Sequence, residues 1–125
     1  MAAIANVFVG LVALLHVFFL VLEMFLWNTP RGHKTFQITP QFATESKTLA
    51  ANQGLYNGFL AAGLVWALLL HDSAMAFQVK VFFLSCVIIA GIYGGITVKR
   101  TILFMQMLPA AIALGLVYFA ANAAS

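Results

Sequence analysis

The chain has 125 residues, of which 64% are hydrophobic and 7% are charged, and its mean hydropathy is +1.04. A globular domain contains about a quarter charged residues, so this composition excludes an ordinary soluble domain. The net charge of +3 comes from six Lys and Arg against three acidic residues, and the cations cluster near helix ends. That pattern indicates membrane topology rather than nucleic-acid binding.

Four long apolar runs predict an all-α fold: an integral membrane four-helix bundle with short loops, forming one membrane domain over residues 1–125. Unpaired backbone groups are costly in hydrocarbon, so a spanning segment is a helix or part of a closed barrel, and uninterrupted apolar runs favour helices. Because roughly 20 residues cross the hydrocarbon core, the chain has room for four crossings. The predicted spans lie at about 2–27, 47–70, 74–98 and 101–121.

Prolines set the boundaries of the first two spans. The first span is expected to end at Trp27, because Pro30 cannot continue a helix. The polar loop over 28–46 contains Thr39-Pro40, an N-cap residue followed by a proline that suits the first helical position. We therefore expect the second helix to begin near Pro40 as a juxtamembrane turn and to enter the bilayer later.

Positive charges predict the orientation in the membrane. Cytoplasmic loops carry an excess of Lys and Arg, and here only Lys80, inside the third span, lies toward the other side. We therefore expect loops 28–46 and 99–100 to be cytoplasmic, both termini to face outward, and the protein to lie in the cell inner membrane. The cations that support this orientation are Arg31, Lys34, Lys47, Lys99 and Arg100.

Polar side chains inside the predicted spans indicate a candidate site, because each is costly in hydrocarbon unless it has a partner or a cavity. His16 and Glu23 are seven residues apart, which is close to two helical turns, so they share a face of the first span. The second span carries a polar stripe, and the last two spans add a tyrosine and a glutamine at a similar predicted depth. These residues are Asn52, Gln53, Tyr56, Asn57, Tyr93 and Gln106.

Two interpretations of this polar layer stay open. The functional one is an intramembrane pocket for a small lipophilic molecule, in which Glu23 or Tyr93 is the catalytic proton donor or acceptor. Its predicted ligand-binding residues are His16, Asn52, Gln53, Tyr56, Asn57 and Gln106. The structural one is interhelical hydrogen bonding worth about 0.6 kcal/mol per bond, or an ion pair of Glu23 with a nearby Lys or Arg.

Three functions therefore compete: a lipophile-binding or isomerase-like membrane enzyme, a small proton-coupled transporter that uses the membrane carboxylate, and a structural or accessory subunit. Pairing of chains into a homo-oligomer would bury the polar groups more completely. No metal site is predicted, because no second His or Cys lies at ligand spacing inside the spans. His33 and His71 are expected to be solvated loop residues.

The stretches LEMFLWNTPRGHKTF (22–36) and LAANQGLYNGFLAAGLVW (49–66) resemble the signature blocks of a family catalogued as domain of unknown function 1304. This resemblance spans essentially the whole chain and implies a small four-helix membrane protein, mostly bacterial, without an established activity. A fainter resemblance is to membrane styrene-oxide isomerases, which hold haem b between subunits. It implies epoxide-binding roles for Asn57 and Tyr93, with His16 as the haem ligand because Ala51 or Asn52 stands at that family's ligand position.

Overall fold

The structure, a computed structural model, describes residues 1–124 and contains helices as its only regular elements within that range. The all-α prediction is therefore confirmed for the described residues. The helices are α1 (Ala2–Met24), α2 (Pro30–Phe36), α3 (Pro40–Leu69), α4 (Ser73–Thr97) and α5 (Leu108–Ala124), and a π-helical turn (Leu103–Met107) leads into α5.

Three helices of the described chain are long and apolar enough to cross a membrane, judged by length and composition: α1, α4 and the continuous helix Leu103–Ala124. They indicate a membrane protein. The 30-residue helix α3 is also long enough, but it is not among these three, because polar residues such as Asn52 and Gln53 interrupt its apolar character. Three of the four predicted spans thus coincide with helices that are long and apolar enough to cross a membrane, and the four-helix membrane bundle stays a prediction.

The polar segment 28–46 contains a helix that the sequence does not predict, α2, ahead of the predicted helix start near Pro40. Pro30 does not end α1; it occupies the first position of α2, where its fixed φ and missing N–H suit a helix start. Thr29 caps this helix, because its Oγ1 accepts a hydrogen bond from the Gly32 amide. The end of α1 accordingly lies at Met24 rather than at the predicted Trp27.

Helix α3, which corresponds to the second predicted span, begins at Pro40, as the Thr-Pro pattern predicts. Thr39 Oγ1 accepts a hydrogen bond from the Phe42 amide at 3.1 Å, so the same dipeptide starts both α2 and α3. Gln37, between the two helices, has a left-handed conformation (φ 55°) and donates its amide to the His33 carbonyl. The chain therefore turns from α2 into α3 within three residues.

The described chain groups into two compact units, which we treat separately; the prediction of a single domain stays a prediction. In the unit Leu14–Ala61, the end of α1 packs on the middle of α3. Glycine makes this packing close, because a Cβ at Gly54 would lie 2.8 Å from Met24 Cγ and 3.0 Å from Glu23 Cβ. Small residues at a helix contact let the backbones approach in this way.

The other unit comprises residues 1–13 and the chain from Ala62 onwards, and here α4 packs on the π-helical turn and α5. A Cβ at Gly91 would lie 2.7 Å from the Met107 backbone nitrogen, and one at Gly95 would clash with the Leu103 side chain. The π turn precedes Pro109, whose ring would clash with the carbonyl four residues earlier in a regular α-helix. Widening the turn, with the Leu108 amide bonded to the Leu103 carbonyl, is a known way to accommodate such an interruption.

Candidate functional site

A buried carboxylate lies at the end of α1. The Glu23 side chain is 4% exposed, and both of its oxygens accept hydrogen bonds from side-chain amides of α3. Gln53 Nε2 donates to Oε2 at 2.8 Å, and Asn57 Nδ2 donates to Oε1 at 2.5 Å. The two amides are four residues apart, so they project from the same side of α3. We call Glu23, Gln53 and Asn57 the carboxylate cluster.

The chemistry of this cluster follows from its donors and acceptors. The amide groups of Gln53 and Asn57 turn their NH₂ ends toward Glu23, whose two oxygens accept the hydrogen bonds. These bonds offset part of the cost of burying the polar group. The amide carbonyl oxygens and the remaining carboxylate lone pairs stay available as acceptors for a hydrogen-bond donor.

The local sequence explains how the cluster forms. Gly54 follows Gln53 directly and lies against Glu23, so the absence of a side chain there brings the two helices close enough for the amides to reach the carboxylate. Gly58, next to Asn57, faces Leu20 in the same way. Glu23 therefore has amide partners, whereas the nearby cations Arg31 and Lys34 are exposed.

His16 is the other buried polar side chain of this unit, with no exposed area. Its ring meets the Phe19 ring edge-on, with 5.5 Å between the centroids. A haem ligand must present a ring nitrogen to an open axial position, and the enclosed imidazole offers none, so His16 does not fit haem b. Within residues 1–124, no three His, Cys, Asp or Glu side chains come together in a way that could hold a metal ion.

Two predicted site residues of α3 lie outside the carboxylate cluster. Asn52 and Tyr56 are exposed, and they lie about 140° and 100° around the helix from Asn57. Tyr93, which is 70% exposed, and Gln106, in the π-helical turn, belong to the other unit. The polar layer contributed by all four spans therefore stays a prediction.

Comparison with known proteins identifies the family of this chain. Residues 10–118 match the family described as Protein of unknown function (DUF1304). The chain belongs to this family. It is 29% identical over 98 residues to the uncharacterized protein YpaA of Lactococcus lactis subsp. lactis (strain IL1403). The aligned region covers 77% of this chain and 81% of that protein. No solved structure matches this DUF1304 protein significantly. The matched region contains the whole carboxylate cluster.

The structure of this DUF1304 protein also shows a set of polar contacts that the sequence did not suggest. Trp27 Nε1 donates to Ser46 Oγ at 3.0 Å, and Asn28 Nδ2 donates to Thr44 Oγ1 at 3.1 Å. His33, expected to be solvated, is half-buried, with 2.9 Å between its Nε2 and Asn28 Oδ1. These contacts, the connector contacts, hold the segment after α1 against the first turns of α3. They depend on how the segment after α1 folds against the helix that begins at Pro40.

A shallow apolar groove of about 300 Å³ lies in the other unit of the DUF1304 protein, and none of the predicted site residues lines it. In a membrane-spanning chain, an apolar surface of this kind faces lipid without needing a partner. The groove therefore gives no support to the predicted pocket. Its lining residues are Trp66, Met75, Gln78, Val79, Phe82 and Phe83.

Proposed function

We propose that this protein is a four-span membrane protein that binds a small lipophilic molecule at the carboxylate cluster. The observation that supports this proposal is the hydrogen bonding of the buried Glu23 carboxylate by Gln53 and Asn57. An ionisable side chain within a membrane helix is costly and marks a functional site more often than not. Two further polar side chains positioned on one carboxylate strengthen that interpretation.

The proposal requires that α3 also crosses the membrane, in addition to the three apolar helices. At 1.5 Å per residue, its 30 residues extend about 45 Å, which exceeds the roughly 30 Å hydrocarbon core. The polar first turns can therefore lie among headgroups while the rest of the helix crosses the hydrocarbon core.

The exposed Arg31, Lys34 and Lys47 favour a cytoplasmic segment 28–46, with 99–100 on the same side and both termini outward in the cell inner membrane. Labelling of cysteines introduced at Arg31 or His71 with an impermeant thiol reagent tests this: outside labelling at residue 31 would contradict it.

The ligand proposed for the cluster carries a hydrogen-bond donor, such as a hydroxyl or an amine. The carboxylate and the two amide carbonyls offer acceptors for that donor, and each amide NH₂ keeps a second N–H that can donate to an acceptor on the same head group. A lipophilic body concentrates the molecule in the bilayer, where the cluster lies. An isomerase-like reaction at this cluster would add a proton transfer to or from Glu23, with Asn57 orienting the substrate.

Native mass spectrometry of the protein purified in mild detergent tests ligand binding. We expect a bound small molecule with the wild type and its loss in Glu23→Gln, which keeps the shape but removes the charge. Glu45→Gln is the matched control, because Glu45 is exposed and contacts only the Gln41 amide on its own helix. If Glu23→Gln retained the same ligand as Glu45→Gln, the proposed pocket would be wrong.

A structural role for the cluster is the second candidate, and the close contact at Gly54 and Gly58 favours it. A Cβ at either glycine would lie within 3.0 Å of an α1 side chain, so little free space remains between the helices there. In that case, Glu23→Gln would lower the stability of the protein while the wild type carried no ligand. The same mass spectra, combined with a denaturation curve, distinguish the two roles.

A further inference from the structure

One face of α3 carries residues at the spacing of a coiled coil, and this face is exposed. Leu49, Asn52, Tyr56 and Phe59 are separated by three, four and three residues, which is the spacing of core positions in a heptad repeat. All four are exposed: Leu49 by 76%, and Tyr56 and Phe59 by 56% each. We call these four residues the α3 seam.

The α3 seam lies away from the face of α3 that packs on α1. Gly54, in contact with Glu23, is five residues from Leu49 and therefore about 140° around the helix. Ala50 and Ala61 are buried as well, so α3 has one packed side and one open side. Binding at the seam therefore leaves the carboxylate cluster intact.

An exposed apolar face needs no partner in lipid, but the Asn52 amide does. Asn52 follows Lys47 by five residues, so it lies about 7.5 Å further along α3 toward the hydrocarbon when Lys47 is at the membrane surface. An amide in hydrocarbon has unmet donors and acceptors, and polar side chains in spans therefore face other helices. Asn52 thus marks the open face as a helix contact rather than a lipid contact.

A second copy of this chain satisfies the chemistry of the seam. All copies inserted in one membrane share an orientation, so two α3 helices that meet around a twofold axis are parallel, and each seam residue meets its own counterpart at the same depth. The amide is self-complementary, since its NH₂ can donate to the carbonyl oxygen of the other copy. A single Asn among apolar core positions is also the device that fixes register in parallel coiled coils.

We propose that two copies of this protein pair through the α3 seam as a parallel dimer, with Asn52 hydrogen-bonded to Asn52 of the second copy. The contact begins after Glu45, which continues the spacing but would place two like charges opposite each other. It ends before Gly63, which is buried against the Phe83 ring. This proposal rests on α3 crossing the bilayer, and it is independent of ligand binding at the carboxylate cluster.

Disulfide cross-linking in native membranes tests the dimer. Single cysteines replace each seam residue in a Cys86→Ala background, since Cys86 is the chain's own thiol. We expect oxidation to give a product of twice the 13.5 kDa chain mass at positions 49, 52, 56 and 59. Ala51→Cys and Ala62→Cys are the controls, because both positions lie roughly 100° or more from the centre of the seam. Equal cross-linking at the controls, or a product of another mass, would overturn the proposal.

Substitution of Asn52 tests the role of the amide. Interhelical hydrogen bonds in membranes average about 0.6 kcal/mol and reach about 1.7, so Asn52→Leu should weaken dimerisation by roughly three- to eighteen-fold. Asn52→Gln, which keeps an amide, should restore most of the affinity. Energy-transfer measurements in liposomes at several protein-to-lipid ratios give these constants. Unchanged dimerisation in Asn52→Leu would show that the amide does not hold the pair together.

Discussion

The two units of the chain hold their helices together by different physics. Between α1 and α3, Gly54 provides a close approach, and the carboxylate cluster adds two hydrogen bonds to the buried Glu23 side chain. Between α4 and the π-helical turn, Gly91 provides a similar approach, but it meets Met107 in an apolar contact. The same G-x-x-x-G spacing, at Gly54–Gly58 and at Gly91–Gly95, therefore serves both contacts.

The G-x-x-x-G spacing indicates a close helix contact but not the chemistry of that contact. Small residues four apart indicate that two helix backbones come close, whatever lies beside them. The polar neighbours decide whether the contact is only packing or also a chemical site, because apolar packing tolerates volume-conserving changes whereas a buried charge does not tolerate the loss of its partners. The α1–α3 contact is therefore the place where substitutions that keep the packing should still alter the protein.

The largest effect is expected from filling the apolar contact. In Gly91→Leu, the new side chain would begin 2.7 Å from the Met107 backbone, which cannot move aside as a flexible side chain can. Overpacking of this kind costs about 1–3 kcal/mol and occasionally more, so we expect a loss of about 3 kcal/mol in the free energy of unfolding in mixed micelles. Gly115→Leu is the matched control, because nothing lies within 4 Å of a Cβ at that position. Equal losses in the two variants would mean that α4 does not pack closely at Gly91.

The next effect sharpens the polar side of the comparison. Asn57→Ala removes one of the two donors to Glu23 and leaves a carboxylate oxygen without its partner, at a cost of about 2 kcal/mol in unfolding free energy. Asn52→Ala is the control on the same helix: its side chain is exposed, and in a monomeric detergent preparation the loss should stay below about 0.5 kcal/mol. If both substitutions cost the same, the hydrogen bonds of the carboxylate cluster contribute no measurable stability.

The helices and part of the site follow from simple rules. The three apolar helices are predictable because a barrel strand alternates apolar and polar residues, so a long uninterrupted hydrophobic run forms a helix in lipid. Glu23, Gln53 and Asn57 are predictable as partners because the first is a costly charge and the other two share a helix face. The same spacing wrongly predicts a place for Asn52 and Tyr56 beside Asn57, since spacing alone does not say where a broad polar face ends.

The order in the segment after α1 was harder to predict. Thr29-Pro30 and Thr39-Pro40 are the same dipeptide. The first follows an apolar run, so it suggests the end of a helix, whereas the second precedes an apolar run and suggests the beginning of a helix. Both in fact start helices, capped by the threonine side chains. Long-range contacts such as that from Trp27 to Ser46 depend on the resulting geometry, which no local pattern encodes.

The smallest effect concerns these connector contacts, which extend the polar α1–α3 contact beyond the carboxylate cluster. Trp27→Phe removes the indole N–H that donates to Ser46 but keeps a ring against Phe36, whose centroid lies 4.8 Å away. We expect a loss of about 1 kcal/mol, seen as faster amide exchange over 28–46 with little change elsewhere. Ser46→Ala should cost a similar amount, and the double variant should cost no more than either alone, because both remove one bond. Additive losses would mean that Trp27 and Ser46 act independently, and the connector would then be held by ring packing and by the Asn28 contacts instead.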